Sequence, residues 1–480
     1  MTSGLLLRNV EIGGRRLDVR TRGAVIVEIG PALRGDGATD VVEGHGGALL
    51  PGLHDHHIHL LATAAARRSV AAGPPEVRNR GELQQAMRRA PAGRVDEEWV
   101  RAVGYHESVA GALDRHDLDI LVPDRPLRLQ HRGGALWMLN SLAIDRLALD
   151  DTSHPGIERD ATGQPTGRLH RADDLLRRRP GGLPPGLRCV GELLAGYGVT
   201  GATDATPYQH AEDLLPLVEA VRSGAIPQRV VVTGGPALAG LELAPELGRG
   251  PVKLVVDDSS PPDIDGLAAH ISLAHAAGRA VAVHCVTRIA TVLALAAWDQ
   301  AGSRAGDRIE HGSVIPAELV EQVRRHGLTV VTQPGLVAER GDDYRREVDD
   351  DDQPHLYRCR SLLEAGVPVA GSTDAPYTDA DPWRAMRAAV QRRTPGGITL
   401  GRHERIRPRR ALELFLGDAQ DPGRLPRKVE VGAAADLCLL HVPLAVALAR
   451  LTADDVAAAI CAGNLAGPAA IGSHSARGRA

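Results

Sequence analysis

Short apolar runs alternate with amphipathic segments from residue 49 onward. The amphipathic segments, such as "DIDGLAAHISLAHAAG" and "PAELVEQVRRHG", have helical spacing and close on glycine, as helices commonly do. Repeated strands and helices predict parallel pairing, and eight such strands predict a (β/α)₈ TIM barrel of the α/β class. The predicted strands are "LLPGLHDHHIHL", "GVTGATDA", "QRVVVTGG", "PVKLVVDD", "RAVAVHCV", "DRIEHG", "LTVVTQPG" and "VPVAGSTDAP".

The two ends of the chain have a different pattern. The amino-terminal runs "LLLRNVEI", "RLDVRT" and "AVIVEIG" and the late run "RKVEVGAAADLCLL" are β-like, and we expect them to pair into one small β-sandwich domain. Roughly 110 residues separate the first barrel strand from "GVTGATDA", a length that predicts a folded insertion over the barrel mouth. The expected domains are 1–50 and 421–480 (β-sandwich, with a C-terminal tail), 51–78 (first barrel strand), 79–190 (inserted α/β lid) and 191–420 (remaining barrel).

Polar side chains close several of the predicted barrel strands. Active sites of (β/α)₈ enzymes lie at the carboxyl ends of the strands, so these side chains are the candidates for catalysis. Residues two apart on a strand share a face, which allows His57 and His59 to bind one ion while His54 and His56 face outward. The candidates are His57, His59, Lys253, His284, His311 and Asp374.

The residue types in this set favour a catalytic metal. Neutral imidazole suits zinc, cobalt, manganese or iron, and two histidines with an aspartate leave coordination positions open. Taken singly, Asp374 could cap a helix and Lys253 could be a surface lysine. Their joint placement at strand ends favours a shared site instead.

Composition excludes several other classes. A net charge of −4 without a basic stripe argues against nucleic acid, and the lack of a long apolar window argues against a membrane partner. The five cysteines are scattered without any CxxC motif, which predicts a reducing cytoplasmic location. A small neutral molecule is therefore the expected substrate. The sequence leaves open whether the protein forms a homo-oligomer.

Several motifs resemble those of one enzyme family. "LLPGLHDHHIHL" is similar to the first-strand signature of the amidohydrolase superfamily, and "VKLVVDD", "VAVHCV", "RIEHG", "GSTDAP" and "VEVGAAADLCLL" are similar to the rest of its pattern. "GYHES", "RDATGQPTGRL" and "LWMLNSLAI" resemble the inserted domain of the amidohydrolase 3 branch, which includes N-substituted formamide deformylases. The chain also looks compatible with the related phenylurea and molinate hydrolases.

The resemblance implies a binuclear metal centre. His57, His59 and Asp374 would hold the more buried ion, and His284 and His311 the more exposed one. Lys253, carboxylated on its ε-nitrogen, would bridge the two divalent ions, with zinc expected and cobalt or manganese as alternatives. The implied reaction is hydrolysis of a non-peptide C–N bond (amide, N-acyl, carbamate or urea) of a small molecule by metal-activated hydroxide, with Asp374 transferring the proton.

Further residues are candidates for supporting roles and for substrate contacts. Asp55 and Glu310 are next to ligands in sequence and are expected either to orient imidazoles or to be structural. The branch commonly has a histidine before its "NS" pair where this chain has Ala135, so the usual substrate contact is missing. The acidic run 349–352 is interpreted as a solvated loop. Candidate substrate contacts are Tyr105, His106, His131, Arg132, His170 and Arg288.

Two other functions remain open from the sequence. The first is a deaminase or cyclic amidase, but the deaminases of the superfamily have an HxxE motif that "HCVTR" lacks, and Lys253 favours two metals. The second is a non-catalytic metal-binding barrel, which the complete set of six candidate ligands disfavours. Metal content and amidase activity would separate these functions.

Overall fold

The computed structural model describes residues 4–35, 40–90, 99–177, 186–207, 209–238, 240–257 and 262–466. The chain forms two compact units, Met1–Leu60 with Leu187–Ala480 (unit 1) and Leu61–Gly186 (unit 2). Within the described ranges, every helix is too short or too polar to cross a membrane. The end of the expected C-terminal tail, after residue 466, lies outside the described residues.

Parallel strands form the centre of unit 1. They lie in a four-stranded sheet of order β15-β14-β13-β6 and a five-stranded sheet of order β16-β17-β18-β19-β20. Strands such as β18 and β19 are buried along their whole length, as parallel strands between helices are. The parallel strands are β6 (Leu53–Ile58), β13 (Val199–Asp204), β14 (Arg229–Val232), β15 (Leu247–Arg249), β16 (Val252–Val255), β17 (Val281–Cys285), β18 (Arg308–His311), β19 (Thr329–Thr332) and β20 (Val369–Gly371).

Backbone hydrogen bonds connect the edges of these two sheets. At one junction Asp374 N donates to His57 O at 2.8 Å, and at the other Lys253 N donates to Gly234 O at 2.7 Å. All eight predicted runs contain strands, and β15 is an additional short strand that ends before Pro251, a residue without a backbone donor. The architecture is therefore TIM-barrel-like, although its strands pair as two sheets and not as one closed ring.

Helices follow most of the parallel strands of unit 1. Their starts carry ordinary caps; for example, the Thr287 side chain accepts a hydrogen bond from Ala290 N at the start of α10. They are α7 (Arg188–Gly196), α8 (Leu215–Arg222), α9 (Ile264–Ala276), α10 (Arg288–Ala301), α11 (Val320–Arg325), α12 (Gly335–Glu347), α13 (Arg360–Glu364), α14 (Pro382–Gln391), α15 (Pro408–Glu413) and α16 (Leu444–Arg450).

Two further sheets of unit 1 come from the two ends of the chain. Their orders are β3-β2-β1-β4 and β23-β22-β21-β5. One buried cluster joins side chains from both ends, including Leu7, Val19, Leu437 and Ile460. The strands are β1 (Leu5–Ile12), β2 (Arg15–Arg22), β3 (Val25–Gly30), β4 (Asp40–Glu43), β5 (Leu49–Pro51), β21 (Leu437–Leu440), β22 (Val456–Cys461) and β23 (Asn464–Ala466).

Unit 2 has its own mixed sheet, of order β11-β12-β10-β9-β8-β7, and its own buried clusters. It is therefore a folded unit and not an extended loop. Its strands are β7 (Val70–Ala71), β8 (Val100–Tyr105), β9 (Leu127–His131), β10 (Leu136–Leu139), β11 (Ile157–Arg159) and β12 (Pro165–His170). Its helices are α1 (Leu60–Ala66, at the junction with unit 1), α2 (Arg80–Arg88), α3 (Glu107–Ala110), α4 (Arg115–Leu121), α5 (Ser141–Leu147) and α6 (Asp173–Arg177).

Candidate functional site

The four histidines that lie along β6 and directly after it fall into two pairs by alternation. His57 and His59 approach Asp374, whereas the rings of His54 and His56 lie together with their centroids 4.6 Å apart. His54 Nε2 is 2.9 Å from the Thr203 hydroxyl, on the neighbouring strand β13. Alternation along a strand, which requires only local backbone geometry, accounts for this division.

His57 and His59 both approach Asp374. Its Oδ1 atom lies 3.2 Å from His59 Nε2 and 3.5 Å from His57 Nε2, and the ligand atoms of the three residues all lie within 4.8 Å of one another. This oxygen is buried and has no hydrogen-bond partner among the described residues. A buried carboxylate oxygen without a donor is costly, and a cation held between it and the imidazoles would remove that cost. The group therefore fits a divalent metal.

The hydrogen-bond partner of His57 Nδ1 determines which ring nitrogen of His57 can bind a metal. Nδ1 of His57 donates to Glu310 Oε2, because a carboxylate only accepts. Nε2 consequently carries the lone pair and faces Asp374. The Glu310 carboxylate is fully buried, and its other oxygen accepts from Arg308 Nε at 2.5 Å. This carboxylate–histidine pair is the arrangement that commonly orients metal-binding imidazoles.

His311 and His59 are held in a similar way. His311 Nδ1 lies 3.0 Å from Gln333 Oε1, and the Gln333 amide is oriented because its nitrogen donates to Ser372 Oγ at 2.9 Å. His59 Nδ1 lies 3.1 Å from Thr206 Oγ1. An amide oxygen requires a donor, so His311 Nε2 also carries the lone pair, as a metal ligand needs.

The remaining candidate ligands lie beside these histidines. Lys253 Nζ is 3.5 Å from His57 Nε2, and the ring of His311 lies 4.7 Å from that of His57 and 4.4 Å from that of His284. Burial lowers the pKa of Lys253 to about 8 and that of His311 to about 3, and burial with the charge of Lys253 lowers the pKa of His57. The structure thus brings all six predicted residues together, with His57 and His311 in the neutral form that metals bind.

Asp55 has contacts of another kind. Its Oδ1 accepts hydrogen bonds from Thr373 N at 3.1 Å and His57 N at 3.2 Å, and its Oδ2 accepts one from Thr373 Oγ1 at 2.5 Å. Burial raises the pKa of Asp55 to about 7. The residue therefore ties the backbone of β6 to the segment that carries Asp374, and it orients no imidazole.

A second histidine–carboxylate group lies in unit 2. Its His131 Nε2 is 3.1 Å and its His106 Nε2 4.0 Å from Glu107 Oε2. Here, however, backbone N–H groups donate to the Nδ1 atoms, Ser108 N to His106 and Gly133 N to His131. The Nε2 atoms must then carry the protons, which they offer to Glu107. In this arrangement the group suits an internal hydrogen-bond cluster and not a metal.

The other candidate contacts of unit 2 have structural partners. The Tyr105 hydroxyl donates to Gly111 O at 2.5 Å, and the Arg132 backbone nitrogen donates to Tyr105 O at 2.8 Å. His170 Nε2 is 3.5 Å from Glu158 Oε2, and about half of its side chain is exposed. Tyr105, His106, His131 and Arg132 lie at the ends of β8 and β9, whereas His170 ends β12.

Arg288, the candidate contact of unit 1, is engaged by carboxylates. Its Nε donates to Asp352 Oδ1 at 2.7 Å, and its Nη1 donates to Glu318 Oε1 at 2.9 Å. Asp352, the last residue of the acidic run 349–352, therefore forms an ion pair with Arg288 at the start of α10. Asp349 and Asp351 of the same run are exposed.

Three residues of the site were missed from the sequence. Thr206 and Gln333 follow the ends of β13 and β19, so the same search for polar residues at strand ends could have found them. Arg308 stands at the start of β18, two residues before Glu310, and therefore on the same face. From the sequence, Arg308 could be recognised as part of the site only after Glu310 had been assigned a role.

Fold and site together define a class of protein. A TIM-barrel-like chain whose parallel strands, and the segments that follow them, bring imidazoles, a lysine and a carboxylate together has the architecture of a barrel enzyme. A sequence profile for the amidohydrolase family, in its amidohydrolase 3 branch, matches residues 40–466. The chain belongs to this family, and the predicted resemblance is confirmed.

Similar proteins agree with this assignment. The chain is 25% identical to the N-substituted formamide deformylase of Arthrobacter pascens, over 85% of this chain and 86% of that protein. It is also 25% identical to the putative amidohydrolase YtcJ of Bacillus subtilis (strain 168), over 82% and 83%. An uncharacterized metal-dependent hydrolase from Pyrococcus horikoshii OT3 has the same fold, with a TM-score of 0.68 at 19% identity over 86% of this chain and 92% of that chain. The protein is thus a hydrolase of the amidohydrolase family.

Proposed function

We propose that this protein is a metal-dependent hydrolase that cleaves a non-peptide C–N bond of a small molecule, of the amide, N-acyl, carbamate or urea type. The observation that carries the proposal is the buried Asp374 Oδ1 atom, which has imidazole nitrogens around it and no donor among the described residues. A relative named for deformylation of N-substituted formamides supports an acyclic amide substrate.

The ligand set supports a binuclear centre. His57, His59 and Asp374 would hold one ion, His284 and His311 would hold the other, and Lys253, carboxylated on its ε-nitrogen, would bridge them. Histidine and carboxylate ligands suit zinc first, with cobalt and manganese as alternatives. When bound, the metals would lower the pKa of water and polarise the substrate carbonyl.

The protein's own groups have separate tasks. Asp374 would accept the proton of the attacking water at its carboxylate and deliver it to the leaving nitrogen. Glu310 would keep the His57 ring in place through Nδ1, and Asp55 would hold the backbone segments on which His57 and Asp374 stand. Such positioning of the reacting groups is a large part of catalysis in closed sites.

Metal analysis combined with a substrate panel tests the proposal. Metal-depleted protein would be reloaded with zinc, cobalt or manganese and assayed on N-substituted formamides, other amides, carbamates and ureas. About two ions per chain with turnover on this panel is the expected result, as in other two-metal hydrolases. One ion per chain with deamination would favour the deaminase, metal without turnover would favour a binding protein, and no bound metal would refute the proposal.

The domain arrangement and location are part of the same proposal. We assign the sheets from the two chain ends to one small β-sandwich domain, which the shared buried cluster supports. We assign unit 2 to an α/β domain inserted after the first barrel strand, which its separate core supports. A cytoplasmic location rests on the scattered cysteines without a CxxC motif.

A further inference from the structure

Arg308 stands behind the metal ligands in a buried chain of three side chains. Its side chain is 1% exposed, and its Nε donates to Glu310 Oε1 at 2.5 Å. The other oxygen of Glu310 accepts from His57 Nδ1, and Glu310 itself is fully buried. The guanidinium is thus connected to the ring of a candidate ligand through one carboxylate.

A second buried arginine, Arg279, has purely structural contacts and serves as a comparison for Arg308. Arg279 donates to backbone carbonyls of residues including Gly250, Leu238 and Thr233, so its guanidinium ties several loops together. Among the described residues, by contrast, the Arg308 side chain makes one hydrogen bond, to Glu310, and its Nη2 is buried without a partner. Burial of a guanidinium is costly, and backbone contacts do not offset that cost for Arg308.

We propose that Arg308 is a positioning residue of the metal centre. It supplies the counter-charge of the buried Glu310 and holds that carboxylate in one orientation. Glu310 in turn keeps the proton of His57 on Nδ1 and the lone pair on Nε2, directed at the metal. This inference rests on the proposed function, because it concerns a centre formed by His57, His59 and Asp374.

Metal affinity tests the inference without reliance on turnover. We would compare Arg308→Met, Arg308→Lys and Glu310→Gln with Arg279→Met, the matched control for loss of a buried guanidinium elsewhere. Zinc dissociation constants would come from chelator competition, and the visible spectrum of cobalt-loaded protein would report ligand geometry. Arg308→Met should weaken zinc binding about tenfold or more and alter the cobalt spectrum, since outer partners of ligands typically contribute this much.

The pattern across the variants separates positioning from general stability. Arg308→Lys, which keeps a charge beside Glu310, should recover most of the affinity, and folded Arg279→Met should keep the wild-type affinity and spectrum. The double variant of Arg308→Met with Glu310→Gln should bind zinc no more weakly than Glu310→Gln alone, because the two residues act in series.

Three results would overturn the inference: wild-type zinc affinity and cobalt spectrum in folded Arg308→Met, the same loss in folded Arg279→Met, or additive losses in the double variant. If Arg308→Met does not fold, the same cycle with Arg308→Gln, which also removes the charge, decides. Wild-type protein that binds no metal would instead refute the proposed function, so the two failures are distinguishable.

Discussion

Asp374→Asn is the substitution that most directly tests the metal centre. Asparagine has the shape of aspartate, but it has no negative charge and places an amide where Oδ1 meets His57 and His59 Nε2 at 3.5 and 3.2 Å. Without metal, two effects oppose each other. The variant loses attraction to Lys253 and no longer carries a buried charged oxygen without a donor, so we expect stability to change by no more than about 1 kcal/mol.

Metal-bound protein should behave differently. A ligand at about 1,000 times its dissociation constant stabilises the folded state by about 4.1 kcal/mol. If the loss of the Asp374 charge weakens binding about 100-fold, the same metal concentration stabilises the variant by only about 1.4 kcal/mol. The metal-dependent gain should therefore shrink by about 2.7 kcal/mol. Turnover should fall by about 10²–10⁴-fold or more, because the proton acceptor is lost as well.

Unfolding with and without buffered zinc measures this difference. Asp381→Asn is the matched control, because Asp381 caps α14 through Trp383 N, and asparagine caps a helix equally well. The control should keep the full metal-dependent gain. The reasoning would be refuted if Asp374→Asn gained as much stability from zinc as the wild type does. It would also be refuted if the substitution lowered the free energy of unfolding by the same amount with and without zinc.

Three further predictions concern other residues. Native mass spectrometry of zinc-loaded protein should show one added CO₂ that Lys253→Met lacks, and an unmodified wild type would refute the bridge. His131→Ala should leave the number of bound metals unchanged, because Gly133 N occupies the ring's Nδ1; loss of an ion would contradict this tautomer. Burial raises the pKa of Tyr105 to about 12, so its phenol ionises earlier in the unfolded chain and stability should fall as pH rises from about 10 to 12. Tyr105→Phe should reduce that fall in denaturation curves, and an unchanged curve would contradict the assignment.

The core of the candidate site could be predicted from the sequence because it depends on local rules. Alternation along a strand separates His57 and His59 from His54 and His56 without reference to the rest of the chain. Parallel strands direct their carboxyl ends to one side, which gathers the histidines, whereas Lys253 lies near the start of its strand β16 and not at its end as predicted. For the same reason the eight runs indicated a TIM-barrel-like fold before any contact was known.

The partners of the side chains depended on tertiary structure. Glu310 is 253 residues from His57 in the chain. Its contact with the His57 ring depends on the order of the strands and on side-chain rotamers, and no local sequence pattern contains either. His106 and His131 also lie at strand ends, in unit 2, yet backbone N–H groups donate to their Nδ1 atoms, which makes each Nε2 a donor. The sequence by itself therefore determined which residues gather at the candidate site. Only the tertiary structure decided which imidazoles present a lone pair to a metal, because a tautomer is set by the group opposite the other nitrogen.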